Sequence, residues 1–285
     1  MTHASQRRTS VFNRPLAILG AVRRRAERGV APLLQRRATA AYQADRQGWL
    51  RKADIAVQRG LDWFAPQPDL TMSALYVLWQ GWRRGTDARF AMIHPKIAHY
   101  RATLRDPALR LFDPGYDPDA AEVVLLPDIM QVRPYLPIEL LMIEAVWADK
   151  RDPGPDFLQR LAAIDDRGWY GTTHIVVAAE LMLRSGAYSQ SALLSLMQAT
   201  VAPMDLANRR ATLMGDIFAE RALMLYWLNQ GHLVTPGQVV MMLNRQRADG
   251  GWSAPGVAPD GLSNQHTTSL AVAVIAEFLA QERGR

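Results

Sequence analysis

The chain contains no cysteine, which excludes disulfides, thiolate metal ligands and a cysteine nucleophile together. It also lacks any apolar run of the roughly 18 residues that a membrane span requires. The run from Val11 to Gly20 is short and broken by Arg14 and Pro15. Arg-rich sequence follows it where the cleavage region of a secretory signal would stand, so the segment does not read as a leader. These absences predict a cytoplasmic protein, with attachment at a membrane periphery left open by the basic segment described next. Val, Ile and Thr nowhere alternate with polar residues for long enough to mark a sheet. A Gly-rich phosphate loop, a Gly-x-Ser-x-Gly elbow and zinc-finger spacing are all missing.

What is present is a 285-residue chain, 49% hydrophobic, long enough to bury a substantial core. Its net charge of +6 is unevenly placed. Residues 1–40 hold nine arginines against one acid, Glu27, and so carry +8, which leaves the remaining residues at −2. A basic arm joined to a mildly acidic body argues against nucleic acid as the partner of the whole chain. Within the arm, Phe12, Leu19, Val22, Ala26, Val30 and Leu33 recur at three-, four- or seven-residue intervals, the pattern of an amphipathic helix. Two readings are open: a helix that meets a protein partner or a membrane surface, and a terminal helix that packs on the body and solvates its outer face.

From residue 41 onward, apolar segments with helical periodicity alternate with turn signals. Helices are predicted over Ala41–Arg59, Leu70–Arg83, Pro95–Leu104, Pro137–Asp149, Asp156–Ile164, Thr172–Ser185, Gln190–Ala199, Gly215–Asn229, Pro236–Gln246 and Gln265–Gln281. Asp113 to Asp119 forms a dense turn cluster. Helix starts near Leu70, Pro137, Thr172, Gly215 and Gln265 are spaced as a two-helix repeat with variable loops would space them. Such a repeat builds either an open solenoid or a closed ring of helix pairs.

The C-terminal sixty residues favour the ring. Gln246-x-x-Asp249-Gly250-Gly251-Trp252 resembles the glutamine–tryptophan repeat of squalene–hopene cyclases, and the corresponding turn in the β subunits of protein prenyltransferases. The resemblance implies an all-α fold of the α/α toroid class over residues 41–285; residues 1–40, set apart by their charge, are a separate arm. It also implies that the Gln caps the next helix and stacks on the Trp. Gln265-His266-Thr267 is similar to the prenyltransferase helix whose histidine binds zinc, and Asp216 stands where that family supplies an aspartate ligand. Phe218 occupies the position of its cysteine ligand, so the full zinc set is missing. The acidic motif of class II terpene cyclases is also incomplete: Ala163-Ile164-Asp165-Asp166 lacks its first aspartate. The resemblance therefore carries a fold and a cavity position further than a reaction.

In such toroids the first turns of the inner helices converge on one mouth of the central cavity. That geometry selects His174, Asp216, His266 and Glu220 as catalytic candidates. Of these, His174, Asp216 and His266 suffice to hold a divalent metal such as Zn, Fe or Mn. Glu139, Trp169, Tyr170, Trp227 and Trp252 are the expected cavity lining. Without a metal, the same imidazoles and carboxylates form an acid–base set whose pKa values are tuned by burial. Each residue also has a structural reading: a helix-dipole or capping carboxylate at Asp216, an ion pair from Glu220 to Arg184 or Arg221, a core histidine at 174, and a capping turn at His266. The expected function is an enzyme of secondary or lipid metabolism acting on an apolar, isoprenoid-like or acyl, substrate. The alternative is a non-catalytic toroid that binds a partner and docks through its arginine arm.

Overall fold

The computed structural model describes residues 13–103, 107–113, 115–116, 137–164, 169–212, 214–253 and 262–284, with side chains from residue 29 onward. The regular secondary structure of the described residues is all helical, without a strand. The helices are α1 (Asn13–Ala44), α2 (Arg46–Phe64), α3 (Met72–Arg83), α4 (His94–Thr103), α5 (Pro137–Val146), α6 (Phe157–Ala162), α7 (Tyr170–Ser185), α8 (Gln190–Ala199), α9 (Val201–Arg209), α10 (Asp216–Trp227), α11 (Pro236–Leu243) and α12 (Gln265–Arg283). Short 3-10 segments cover Ala88–Ile93, Pro107–Leu111 and Gly231–Leu233. Periodicity places the helices well but misses two features. Residue 40 lies within α1, whose break comes at Asp45, and α9 directly follows α8 where the sequence predicts a loop.

The breaks are set by local chemistry. The Asp45 carboxylate accepts from the Gly48 N–H at 2.9 Å and starts α2. Thr71 caps α3, while Thr235 and Gln238 cap α11 reciprocally in a capping box with Pro236 at the first helical position. Gly186, at φ +71°, closes α7.

Burial divides the helices into two layers. Helices α3, α7, α10 and α12 are buried almost all round over much of their length, as in Leu270–Ala276 and Leu223–Trp227. A helix apolar on every side must be enclosed by others. These four pack in the order α3, α12, α10, α7, and α5 continues the row against α7. The amphipathic helices lie outside: α2 on α12, α9 on α10, α8 on α7, and α1 on α11. The Pro107–Leu111 segment touches α5, and Phe112 just beyond it packs edge-on against Trp79 of α3 at 6.3 Å.

The Gln246–Trp252 turn is present, and its contacts differ from those the resemblance implies. The Gln246 amide donates to the Ala56 carbonyl of α2 at 2.9 Å and to the Gly250 carbonyl at 2.8 Å. The start of α12 is capped instead by Asn264, whose side chain accepts from the Thr267 N–H at 2.8 Å. Gly250 has φ +96°, and a Cβ there would lie 2.6 Å from the Arg59 carbonyl oxygen. Trp252 is fully buried and donates through Nε1 to the Met242 carbonyl at 2.9 Å. It anchors the core between α11, α2 and α12.

Candidate active site

Thr173 and His174 lie in the first two turns of α7, and Glu220 lies in the second turn of its neighbour α10. Their side chains meet between the two helices. The His174 Nδ1 atom is 3.1 Å from Glu220 Oε1 and 2.9 Å from the Tyr170 carbonyl oxygen. Both partners are acceptors, so Nδ1 carries the proton and the neutral ring presents Nε2 as its basic atom. Nε2 has no hydrogen-bond partner among the described residues. The Thr173 hydroxyl donates to Glu220 Oε1 at 2.8 Å and also lies 2.9 Å from the Tyr170 carbonyl. The His174 and Glu220 side chains are 11% and 6% exposed, and the second Glu220 oxygen is buried without a partner among the described residues.

Burial by itself lowers the pKa of His174, because it penalises the imidazolium. The hydrogen bond and charge of Glu220, the Tyr170 carbonyl and the charge of Glu139 on α5 outweigh burial, and the His174 pKa is raised. The Tyr170 ring covers the imidazole at 3.8 Å between centroids, and Trp169 beside it is exposed. The pair therefore sits just beneath the molecular surface, under an aromatic cover at the start of α7.

His174, Glu220, Glu139 and Tyr170 are thus brought into one neighbourhood. Asp216 makes no hydrogen bond or ion pair with them, and its carboxylate accepts from the N–H of the next residue, Ile217, at 2.8 Å. Among the described residues, no three His, Asp or Glu side chains gather so as to hold a metal ion, so His174, Asp216 and His266 do not form the ligand set expected of them. Phe218, in place of the prenyltransferase cysteine, is fully buried in the core. The residues present do not fit that zinc site. Both His266 ring nitrogens are shielded from solvent without a partner among the described residues, as is the neighbouring Thr267 hydroxyl. His266 lies in the capping turn in which Asn264 accepts from the Thr267 N–H. Glu220 takes His174 as its partner, while Arg184 turns to the Leu111 carbonyl and Arg221 to Asn208.

Trp227 ends α10, seven residues and about 10 Å of helix rise beyond Glu220. It packs edge-on with Tyr76 and lies under the Arg84 guanidinium. It belongs to a second polar cluster toward the C-terminal ends of α3 and α7. There Arg83 pairs with Glu180, Gln80 donates to the Tyr76 hydroxyl at 2.7 Å, and Arg83 and Arg184 both lie over Trp79. Neither this cluster nor Thr173 was singled out from the sequence. The available signal was polar residues inside otherwise apolar helices: Thr173 beside His174, and Glu180 one turn before Arg184.

The Ala163–Asp166 segment falls partly, and the turn cluster after Asp113 mostly, outside the described residues. No helix of the described residues is long and apolar enough to cross a membrane. Comparison with models of known protein families, with curated proteins and with solved structures finds no match to this chain.

Proposed function

We propose that this protein is an enzyme that performs acid–base chemistry with His174 on an apolar substrate of the isoprenoid or acyl class, held by an α/α toroid. The observation that carries this reading is the pair His174 Nδ1–Glu220 Oε1 at 3.1 Å, buried between neighbouring inner helices. Glu220 orients the imidazole and stabilises its protonated form, as a carboxylate does behind a histidine base, while Nε2 faces the substrate and moves the proton. Tyr170 holds the ring plane. His266 and Thr267, buried with unused polar atoms, are suited to bind a polar group on an otherwise apolar molecule.

The toroid is supported by two layers of helices, with the inner row α3, α12, α10, α7 and α5, and by the contact of Phe112 with Trp79. The apolar substrate class is supported by the setting of the candidate site, in which few polar groups stand among buried aliphatic and aromatic side chains.

The test is turnover of a lipid-soluble metabolite extract, followed by mass spectrometry, with wild-type protein and His174→Gln. The reading predicts at least one apolar compound consumed by the wild type and untouched by the folded variant. An extract unchanged by wild-type protein, or changed equally by both, contradicts it.

A further inference from the structure

Over residues 29–44, helix α1 has one face covered by the body and an exposed apolar face among the described residues. Ala31, Gln35 and Tyr42 are buried, with Thr39 between them. This face meets α11, where Gly237 has no room for a Cβ: one would lie 2.3 Å from the Gln35 carbonyl oxygen. Gln35 also reaches the Asn208 carbonyl at 2.9 Å, and the Tyr42 hydroxyl donates to Glu282 at 2.6 Å. The docked face is therefore fixed by packing and by hydrogen bonds.

The second face is the one that periodicity selects. Val30 and Leu33 are 46% and 58% exposed, and Leu34 beside them is 38% exposed. At 100° per residue, Val30 and Leu33 stand about 160° from the centre of the docked face. In sequence, the apolar positions 19, 22 and 26 keep the three-, four- or seven-residue spacing of 30 and 33. Arg36 and Arg37 are exposed next to this second face, and residues 1–40 carry nine arginines against one acid.

We infer that α1 docks this protein on an anionic lipid surface, with Val30 and Leu33 entering the headgroup boundary and the arginines meeting lipid phosphates. Charge complementarity selects this occupant. An apolar stripe set among arginines matches an interface that is apolar at depth and negative at its surface. Nucleic acid gives no use to exposed Val and Leu, and a second copy of α1 would set arginines against arginines. The helix lies along the surface, since none of the described helices is long and apolar enough to cross. This inference does not depend on the chemistry assigned to His174.

Vesicle flotation with the full chain tests it. The vesicles are phosphatidylcholine alone, or three parts phosphatidylcholine to one of phosphatidylglycerol. Wild-type protein is expected to float with the anionic vesicles, less so as salt is raised, and to stay behind with the neutral ones. The double variant Val30→Asp/Leu33→Asp is expected to lose roughly tenfold in bound fraction with no fall in Tm. Arg36→Glu/Arg37→Glu, which leaves the stripe intact, is expected to bind anionic vesicles less well. Absence of wild-type flotation, equal binding to both vesicles, undiminished binding by either variant, or a fall in Tm of several degrees on stripe substitution overturns the inference. So does a concentration-dependent dimer that the stripe variant abolishes.

Discussion

His174 is buried against Glu220, and that partnership shows in its protonation. Its folded-state pKa is raised, so it contributes stability that is fully present below the ordinary histidine value and is lost as pH rises through the folded one. Urea unfolding of wild-type protein and His174→Gln should therefore differ most at mildly acid pH, with the gap narrowing as pH rises. A gap that widens toward alkaline pH contradicts the assigned partnership with Glu220. His266 gives the opposite kind of test. Its ring nitrogens are buried with no partner among the described residues, and an unpaired buried polar group costs stability. His266→Leu is expected to be neutral or to stabilise by up to about 1 kcal/mol in thermal or urea unfolding. It is also expected to lower turnover if the ring serves the substrate. Loss of several degrees in Tm would mean that the ring is a structural member of the core.

At the scale of elements, the Gln246–Trp252 turn fixes how three helices meet. The Gln246 amide ties the turn to α2, Trp252 fills the space between α11 and α12, and Gly250 rides over the Arg59 carbonyl. Gly250→Ala meets both a positive φ and a backbone atom that cannot withdraw, so a loss of about 1–3 kcal/mol is expected in urea unfolding. A change within a few tenths of a kcal/mol would show that the turn adapts freely. Gly237→Ala is a separate probe, because it strikes the Gln35 carbonyl and Thr39 and should loosen α1 alone. Hydrogen exchange in residues 31–44 should then speed up while α10 and α12 stay protected. Faster exchange throughout the core would show that α1 is integral to the body.

The same elements show what the sequence makes legible. Helix existence follows from apolar periodicity, and the turn at Gln246 follows from its glycines and tryptophan. The site was legible only in part. His174 and Glu220 were selected as polar residues early in apolar helices, and they meet as neighbours. Asp216 shares a helix face with Glu220, four residues on, but its carboxylate turns back to the Ile217 N–H at the helix start, and His266 makes no hydrogen bond to the pair. Trp252, expected among the cavity aromatics, is buried with its indole N–H on the Met242 carbonyl. The order α3, α12, α10, α7, α5 follows the chain order of the predicted inner helix starts with the last beside the first; periodicity alone leaves that neighbourhood open between a solenoid and a ring, because it depends on long-range packing.

For the whole molecule, that order is what creates the candidate site. It sets α7 beside α10 and so brings together residues 47 positions apart in sequence, away from water and below an aromatic cover. The central claim is that this packing turns His174 into a base held by Glu220. Nitrogen-15 NMR of the imidazoles, recorded across pH, reads it directly. The chain has six histidines, and His174→Gln assigns the relevant signal. The account predicts that neutral His174 carries its proton on Nδ1 and titrates above the ordinary histidine value. In Glu220→Gln, with the negative charge removed and burial retained, it should titrate lower. A His174 that titrates at or below the ordinary value in the wild type, or whose titration is unmoved by Glu220→Gln, would contradict the account.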